Sequence, residues 1–596
     1  MKELQYLNKY FYKYRGRLAV GIVFVNCACL CQIFPAQIMR DAINEVSRYF
    51  DIPNQTMDKS EIYQSVIRYT LLIIGLALLR GMFMFFMRQT IIVISRWIEY
   101  DMKNEIFSKY QQLNASFYSV NSTGDLMNRI SEDVARVRMY VGPVVMYVIN
   151  LTVTIVLTVY VMSTINWKLT LIVLTPLPVL VFIIYKVHDI INKRSDEVQE
   201  QLSNLSTFVQ ESFSGIRIIQ SFAREKSFEA SFANANGDYK KKSLSLARIN
   251  ALFYPAVTLL IGLSTILTIY FGGMAVIDGS FDIGSIAEFI MYVNMLTWPV
   301  ASLGWIITLV QRAAASQQRI NQFLNQTTEI ENTNVEPSQF KGNIEFRNVS
   351  FTYKNSGIEA IKNCSFIIHE NETVAITGKT GSGKSTIAVL LLRLYDCDSG
   401  EILIDGKNIK EINLDAWRKF VGYVPQEIFL FSDTISRNIA FGLDAESLSA
   451  KDLQQKIISS ASDAAIDASI TQFENGYETL LGERGINLSG GQKQRISIAR
   501  ALVKEPGLLL LDDCLSAVDT QTEEQIVSNI KRLSTAHKSI VISHRISTIK
   551  FADKILLLEN GNLMAQGTHE DLLNNNALYF TIYNDQLIKE NQELIS

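Results

Sequence analysis

The segment Gly378–Thr386 has the residue types and spacing of a phosphate-binding loop. Its residues are Gly378, Lys379, Thr380, Gly381, Ser382, Gly383, Lys384, Ser385 and Thr386. It lies between an apolar run, 373–376, and an apolar helical pattern, 387–394. Glycines permit a tight turn whose backbone N–H groups point at phosphate oxygens, and the following helix N-terminus adds positive potential. Lys384 is therefore predicted to reach the β- and γ-phosphates of ATP, and Ser385 to hold Mg²⁺.

A run of leucines, Leu508–Leu511, ends in two neighbouring carboxylates, Asp512 and Asp513. An unbroken aliphatic run is typical of a strand that is buried in a parallel sheet. The first carboxylate after such a strand lies where the Mg²⁺ of a phosphate loop is bound. Asp512 is therefore predicted to hold Mg²⁺, directly or through one of its ligands, and the pattern is specific only in combination with the loop.

A second glycine-rich segment precedes another helical pattern, 493–502. Its residues are Leu488, Ser489, Gly490, Gly491 and Gln492. Two glycines and a serine at a helix start form another anion cradle by the same physics. One domain needs a single cradle for one ATP, so the second is predicted to serve a nucleotide held by another copy or by a partner.

The composition indicates that these motifs belong to a membrane protein. Of the 596 residues, 48% are hydrophobic and 19% are charged, whereas about 25% of residues are charged in soluble proteins. The 56 Lys and Arg balance the 59 Asp and Glu, which excludes a strongly basic nucleic-acid binder. A wholly disordered chain is also excluded. The mean hydropathy of +0.13 is intermediate, as expected when an apolar half is joined to an ordinary soluble half.

Six apolar stretches are long enough to cross a bilayer, which takes about 20 residues each. They are 18–46, 67–95, 140–163, 168–187, 250–278 and 284–310. The third and fourth are joined only by Thr164–Trp167, which predicts a tight hairpin. Basic residues are concentrated before the first stretch and after the sixth. The positive-inside rule then predicts that both termini and the long loops, 96–139 and 188–249, face the cytosol.

The chain divides into segments of different character. Residues 1–16 are basic and aromatic and predict a helix in the membrane interface, with a disordered basic tail as the alternative. The membrane domain covers 17–324, and the Asn-, Thr-, Glu- and Ser-rich segment 325–341 predicts a linker. Over 342–590, short β-type runs alternate with helical patterns. This predicts a soluble α/β domain with a largely parallel sheet, followed by a tail at 591–596.

Together these features resemble an ATP-binding cassette (ABC) half-transporter of the exporter type. The resemblance extends over nearly the whole chain, and Leu488–Gln492 matches the signature motif of that family. It implies the type I exporter fold, in which a six-span α-helical membrane domain is fused to a cytosolic α/β P-loop NTPase domain. In the membrane half, 117–126 and 214–217 resemble the cytosolic coupling loops.

The resemblance also implies roles for individual residues. Tyr353 would stack on adenine, Gln426 would sense Mg²⁺ and the membrane domain, and His544 would contact the γ-phosphate. Glu483 resembles the exporter-specific loop before the signature, and Ser516–Asp519 matches a loop that contacts the partner cassette. The predicted metal-binding residues are Ser385, Gln426 and Asp512, and the predicted catalytic residues are Asp513, His544 and Gln426.

One position departs from the family's pattern. The family usually has Glu after the Asp512 equivalent, where it polarises the attacking water. Asp513 is one methylene shorter, which retracts the carboxylate by about 1–1.5 Å. A misplacement of about 1 Å can cost on the order of 10²-fold in rate, so this chain's own site is expected to bind ATP and hydrolyse it slowly. In the family this substitution typifies one partner of heterodimeric exporters. A heterodimer is therefore favoured over a homodimer with two slow sites.

The arginines and the cysteines within the predicted spans each allow two interpretations of their role. Arg80 and Arg88 would line a polar pathway and meet anionic groups, or they would pair structurally or extend towards the interface. Cys27, Cys29 and Cys31 are small apolar residues that suit helix packing, and a soft-metal thiolate site is the weaker alternative.

Three functions compete at this level. The favoured one is ATP-driven export of amphipathic small molecules (multidrug type) across the cytoplasmic membrane by alternating access. The second is lipid or glycolipid flipping, which Arg80 and Arg88 would suit, and the third is an ATP-gated channel or regulator. The partners expected are a second half-transporter, the lipid bilayer and an amphipathic substrate, with no nucleic acid.

Overall fold

The computed structural model describes residues 2–51, 59–332, 334, 336–370, 372–443, 448–515, 520–534 and 538–593. The chain forms two compact units. The first contains Met1–Gln111 and Thr123–Gln326, and the second contains Gln112–Ser122 and Thr327–Ser596. The short segment 112–122 therefore belongs by its contacts to the second unit, although it is flanked on both sides by the first.

Long helices dominate the first half of the chain. They are α1 (Asn8–Lys13), α2 (Arg15–Asp51), α3 (Lys59–Gln112), α4 (Ala115–Val120), α5 (Thr123–Asn128), α6 (Val134–Met139), α7 (Val145–Leu174), α8 (Pro176–Ser214), α9 (Ile216–Ser221), α10 (Glu225–Ile277) and α11 (Ile283–Leu324). Shorter helical turns cover Lys2–Leu7, Arg129–Asp133 and Tyr140–Val144. Helix α4 belongs to the second unit and the others to the first.

Among the described residues, five helical segments are long and apolar enough to cross a membrane, so the prediction of six is corrected. They are Arg15–Tyr49, Ser60–Gln112, Thr123–Leu174, Glu225–Ile277 and Ile283–Leu324. The predicted fourth stretch, 168–187, is divided between α7 and α8. Pro176 begins α8 and has no N–H to continue the preceding helix. Within α7, Asn166 has non-helical angles, φ −156° and ψ 102°, at the expected hairpin.

Polar contacts tie helices together inside the membrane unit. Arg40 of α2 donates to the buried carboxylate of Glu288 in α11 at 3.2 Å, and the Tyr292 hydroxyl donates to the same carboxylate at 2.8 Å. Arg80 donates to the Gln32 side chain at 3.1 Å, whereas Arg88 is exposed. The sequence pattern could not predict the Arg40–Glu288 and Arg80–Gln32 pairs, because their members are 248 and 48 positions apart in the chain.

Cys29 is a packing residue of the membrane unit. All six cysteines of the chain carry free thiols. The buried Cys29 Sγ lies 3.4 Å from Thr154 Oγ1 of α7. Cys29 also packs with Val25, Met87 and neighbouring apolar residues in one cluster.

The second unit is an α/β domain with two sheets. Its strands are β1 (Ile344–Tyr353), β2 (Ile358–Ile368), β3 (Thr373–Gly378), β4 (Ser399–Ile404), β5 (Lys407–Asn408), β6 (Val421–Val424), β7 (Leu508–Asp512), β8 (Lys538–Ile542), β9 (Lys554–Glu559) and β10 (Asn562–Gly567). A four-stranded antiparallel sheet has the order β2-β1-β4-β5. A six-stranded sheet has the order β10-β9-β3-β8-β7-β6, with parallel pairing from β9 to β6. The expected parallel sheet is present, and the antiparallel one was not anticipated.

Helices cover the strands of this unit. They are α12 (Lys384–Leu391), α13 (Leu414–Phe420), α14 (Ile435–Ala440), α15 (Ala450–Asp463), α16 (Asp467–Ile470), α17 (Gly490–Leu502), α18 (Thr520–Ser534), α19 (Ile546–Ile549), α20 (His569–Asn575) and α21 (Ala577–Glu593). One hydrophobic core fills the space between the two sheets and includes α12 and the fully buried Trp417. A second core joins α14, α15 and α17 to the outer face of β7.

Candidate nucleotide site

Four segments meet at one edge of the six-stranded sheet because β3, β8, β7 and β6 are parallel neighbours. Ile376 of β3 pairs with Ile542 of β8, and Ile542 pairs with Asp512 of β7. Val424 of β6 pairs with Leu511 of β7. The segments that follow these strands therefore leave the sheet at the same edge. They contain the phosphate loop, Asp512 and Asp513, His544, and Gln426.

The phosphate loop requires glycine at specific positions. Gly378, Gly381 and Gly383 have φ values of 149°, 80° and 95°, which side chains rarely adopt. A Cβ on Gly378 would lie 2.0 Å from the Leu558 carbonyl oxygen, and one on Gly383 would lie 2.3 Å from that of Ala360. The loop is thus held between backbone of β9 and β2, which dictates its shape before any ligand binds.

Lys384 bridges the two ends of this loop. Its Nζ donates to the carbonyl oxygens of Gly378 at 2.8 Å and Lys379 at 2.9 Å. Burial lowers the pKa of Lys384, and the nearby Asp513 and Asp512 carboxylates partly oppose that shift. An ammonium group that is partly desolvated and bonded to neutral carbonyls gains strongly from an anionic oxygen.

A hydroxyl and a carboxylate adjoin the loop. Ser385 Oγ donates to Asp512 Oδ1 at 2.9 Å, and burial raises the pKa of Asp512. Both groups are hard oxygen ligands of the kind that Mg²⁺ prefers, and Mg²⁺ is usually held by one or two protein oxygens together with substrate phosphates. The pair therefore fits a Mg²⁺ ion that accompanies a nucleotide.

Asp513 is held in an unusual backbone conformation. Its φ of 45° is in the left-handed region, which Asp tolerates better than most residues, and its N–H donates to the Ile542 carbonyl oxygen at 2.8 Å. Its carboxylate lies 2.8 Å from His544 Nδ1. The two residues are thus paired directly, 31 positions apart in sequence.

The loop around His544 is supported by a helix that pattern reasoning missed. Gln586 of α21 donates to the His544 carbonyl oxygen and accepts from the Ile546 N–H at 2.8 Å. Arg545 pairs with the buried Glu523 of α18. No local motif marks these partners, because the contacts exist only after the domain has folded.

Tyr353 lies at the end of β1 and reaches the phosphate loop from the antiparallel sheet. Its hydroxyl is 3.3 Å from Thr386 Oγ1. Its half-buried ring makes edge contacts with Phe351 and Tyr395, at centroid distances of 4.8 and 5.6 Å. These contacts fix the orientation of an aromatic ring beside the nucleotide loop. Gln426 lies two residues beyond β6, with an exposed side chain.

The second cradle is built differently. Ser489 is the N-cap of α17, and its hydroxyl accepts from the Gln492 N–H at 3.3 Å. The Gln492 side chain in turn accepts from the Ser489 N–H at 3.0 Å. In the part of the chain that the structure covers, no hydrogen bond or ion pair joins Ser489, Gly490, Gly491 or Gln492 to the phosphate loop.

Two predicted elements cannot be placed. Ser516–Asp519 lies outside the described residues. Glu483 belongs to the turn Glu483–Gly485, but its side chain is also outside them. The fold therefore brings together Tyr353, the phosphate loop, Asp512, Asp513 and His544, and it leaves the signature segment apart.

Sequence comparisons agree with this architecture. Residues 18–300 match the ABC transporter transmembrane region, and residues 361–516 match the ABC transporter domain. A relative from Bacillus subtilis, the probable multidrug resistance ABC transporter ATP-binding/permease protein YheI, is 33% identical over 98% of this chain and 97% of its own. This chain belongs to the ABC transporter family. The fusion of both domains in one chain, and the names of its relatives, identify this ABC transporter as an exporter.

Other relatives of the transporter cover most of its length. The multidrug resistance-like ATP-binding protein MdlA of Escherichia coli is 31% identical, covering 98% of this chain and 96% of its own. The ATP-dependent lipid A-core flippase of Syntrophus aciditrophicus is 33% identical, covering 86% and 84%. A bacterial Atm1-family ABC exporter with ATP bound superimposes with a TM-score of 0.77 at 25% identity, covering 96% and 98%. The transporter thus has the type I exporter fold, with an α/β nucleotide-binding domain.

Proposed function

We propose that this ABC exporter moves amphipathic small molecules out of the cytosol as one half of a dimer, driven by ATP that is bound between two cassettes. The observation that carries the proposal is that each chain supplies a complete phosphate loop and a separate, partly exposed cradle. The Ser489–Gln492 cradle has its own capping bonds, and Ser489 and Gly490 are exposed. Closing it on a partner's nucleotide would complete a site that neither chain forms alone.

The roles proposed at the nucleotide follow from the contacts described. Lys384 exchanges its two carbonyl partners for the β- and γ-phosphate oxygens. Ser385 and Asp512 hold Mg²⁺, which neutralises phosphate charge when bound, and the exposed Gln426 side chain completes that set. Tyr353 offers a ring face to adenine.

The Asp513–His544 pair supports slow hydrolysis at this chain's own site. The 2.8 Å contact directs the short Asp513 carboxylate at the imidazole. A carboxylate that is engaged this way, and one methylene shorter than Glu, is poorly placed to take a proton from an attacking water. This supports a heterodimer in which the partner supplies the fast site, and a homodimer with two slow sites remains the competing arrangement.

Within the second unit, polar contacts connect the segment after Tyr353 to α4 and the residues next to it, and nucleotide-dependent movement would be transmitted through them. Asn355, two residues after Tyr353, donates to Ser119 Oγ of α4 at 2.7 Å. Lys354 pairs with Glu329 at 3.2 Å, and the Glu329 carboxylate also accepts from Asn114 at 3.4 Å. The segment that carries the adenine-stacking ring is therefore bonded to a segment that resembles a coupling loop. We infer that alternating access uses this connection.

The substrate class is proposed from the relatives and the membrane unit. Two relatives bear multidrug resistance names, which favours amphipathic small molecules. Lipid flipping is the second candidate, because Arg80 is bonded to the neutral Gln32 inside an apolar helix and a relative is a lipid A-core flippase. The basic N-terminus and the Arg312 and Arg319 end of α11 favour a cytosolic cassette in the cytoplasmic membrane.

The test is ATPase activity and transport in proteoliposomes of the full-length protein, alone and with a co-expressed sister half. Stimulation and uptake by a panel of cationic and neutral drugs would support multidrug export. Stimulation by lipids alone would favour flipping. ATP-dependent single-channel currents without uphill uptake would overturn the export proposal.

A further inference from the structure

The imidazole of His544 is carried by a short turn, 543–545, between β8 and α19. The side chain is 52% exposed, so apolar packing does not fix it, and its position follows from the backbone of the turn. The Ser543 N–H donates to the Ile376 carbonyl oxygen of β3 at 3.1 Å, and the Arg545 N–H donates to Ser543 Oγ at 3.0 Å. These two bonds hold the beginning of the turn against the parallel sheet.

The end of the same turn is held by Gln586 of α21. Its Nε2 donates to the His544 carbonyl oxygen, and its Oε1 accepts from the Ile546 N–H at 2.8 Å. Ile546 is the first residue of α19, and Arg545 at the N-cap makes no side-chain capping bond. One amide group therefore bonds the backbone on both sides of Arg545 and satisfies an N–H that the helix itself leaves open.

Helix α21 gives Gln586 a fixed base. Tyr579, Tyr583 and Gln586 are spaced by four and three residues, which places them on one face of the helix. Tyr579 is fully buried, and its hydroxyl lies 2.8 Å from His569 Nδ1. Tyr579 also belongs to the same hydrophobic cluster as Ile546, and Tyr583 packs against that cluster. The helix that carries the amide is thus packed against the element that the amide caps.

The position of the turn matters because His544 lies beside the groups that surround the phosphate loop. Its Nδ1 is 2.8 Å from Asp513 Oδ1. The preceding residue, Asp512, is bonded to Ser385 of the loop. A shift of the turn would therefore move the imidazole relative to a nucleotide bound at the loop, and side chains that act on a ligand need supporting hydrogen bonds to keep their geometry.

We propose that Gln586 is a positioning residue, which holds the turn 543–545 so that the His544 imidazole meets the γ-phosphate of ATP. The inference rests on the proposed nucleotide site, with the contact between His544 and the γ-phosphate that the family resemblance implies. It adds that a side chain of α21, which is remote from the phosphate loop in sequence, determines how well the site distinguishes ATP from ADP.

The test compares the affinities of the full-length protein for ADP and for AMP-PNP, an ATP analogue whose γ-phosphate is not hydrolysed, both with Mg²⁺. Gln586→Met keeps the side-chain length and removes both hydrogen bonds. It should weaken AMP-PNP binding by about 5-fold, a partial loss of one hydrogen bond to a charged group, and leave ADP binding unchanged. Gln586→Glu keeps the acceptor for Ile546 but cannot donate to the His544 carbonyl oxygen, so its affinity should be intermediate.

Two further variants show whether Gln586 acts through the imidazole. His544→Ala removes the ring and should weaken AMP-PNP binding by about 10-fold. Adding Gln586→Met to His544→Ala should cause no further loss, because the two residues would act as one unit. The matched control is Thr581→Met, which places the same new side chain at an exposed position of α21. It should bind both nucleotides like the wild type.

The outcomes separate this inference from the nucleotide site itself. If His544→Ala weakened AMP-PNP binding but neither Gln586 variant did, Gln586 would not position the imidazole, and the site would stand. If His544→Ala had no effect, the contact with the γ-phosphate would be wrong, and the role of Gln586 with it. Equal weakening of AMP-PNP and ADP binding by Gln586→Met, or a further loss in the double variant, would show a general structural role instead.

Discussion

The two anion cradles of the cassette share glycine-rich sequences and helix N-termini, yet they differ in what surrounds them. The phosphate loop is fixed by backbone of β9 and β2, bridged by Lys384 and adjoined by Asp512. The segment Ser489–Gln492 is exposed at Ser489 and Gly490, and its polar groups cap their own helix. The groups around the phosphate loop suit the binding of a phosphate and its Mg²⁺ within one chain. The segment Ser489–Gln492 provides a helix N-terminus. Similar local sequence therefore occurs in two cradles with different surroundings.

The largest effect is expected from the loop lysine. Lys384→Ala removes the ammonium group that bridges the ends of the loop, so ATPase activity should fall by about 10²–10³-fold, the usual cost of losing a charge-stabilising group. Nucleotide binding by the isolated protein should weaken in parallel. Lys362→Ala removes an exposed lysine of β2 and serves as the control. If Lys384→Ala had the same ATPase activity as the wild type, the phosphate loop would not be the cradle that holds the nucleotide charge.

The signature cradle is tested by adding a charge to it. Gly490→Asp puts a carboxylate in the first turn of α17, where it suits the helix dipole but repels a phosphate. Binding of ATP to this chain's own loop should be unchanged, while hydrolysis by the assembled dimer should fall by about 10²-fold. Measuring ATP binding by the single chain and ATP hydrolysis by the dimer tests both expectations. Loss of ATP binding by the variant chain alone would show that the two cradles serve the same nucleotide.

The short carboxylate gives a gain-of-function test. Asp513→Glu should raise turnover at this chain's own site by about 10–100-fold, because the carboxylate advances by about one bond length. Asp513→Asn should change turnover little if that site is already slow. Rates are measured with the chain purified alone. Brisk wild-type turnover that Asp513→Asn abolishes would contradict the slow-site proposal.

The smallest effect is on stability. Ser489→Ala removes the N-cap hydroxyl of α17, which should lower the free energy of unfolding of the nucleotide-binding domain by about 1 kcal/mol. Ser489→Asp restores a capping oxygen and should recover most of that loss while still impairing hydrolysis by the dimer. Denaturant titration and ATPase assays separate the two effects. A Ser489→Ala variant with unchanged stability would mean that the observed cap contributes little.

Local sequence was sufficient where the signal lies within a few residues. The spacing of Gly378–Thr386 predicted the loop, and the leucines before Asp512 predicted its strand. Prediction was less accurate in the membrane half. Hydropathy counted 168–187 as one span, although Pro176 interrupts its backbone hydrogen bonding. It also predicted basic anchors in an interfacial helix over 1–16, whereas Lys9 and Lys13 bind Glu105 and Asp101 of α3.

The sequence by itself determined which chemistry this chain can carry, since glycine spacing, a lysine and a strand-end carboxylate act through short-range geometry. Only the tertiary structure decided which groups meet. The pairing of Asp513 with His544 and the support of the His544 loop by Gln586 both depend on strands and helices that are distant in the chain. Such contacts form when apolar surfaces pack, and no local pattern specifies which polar groups that packing brings together.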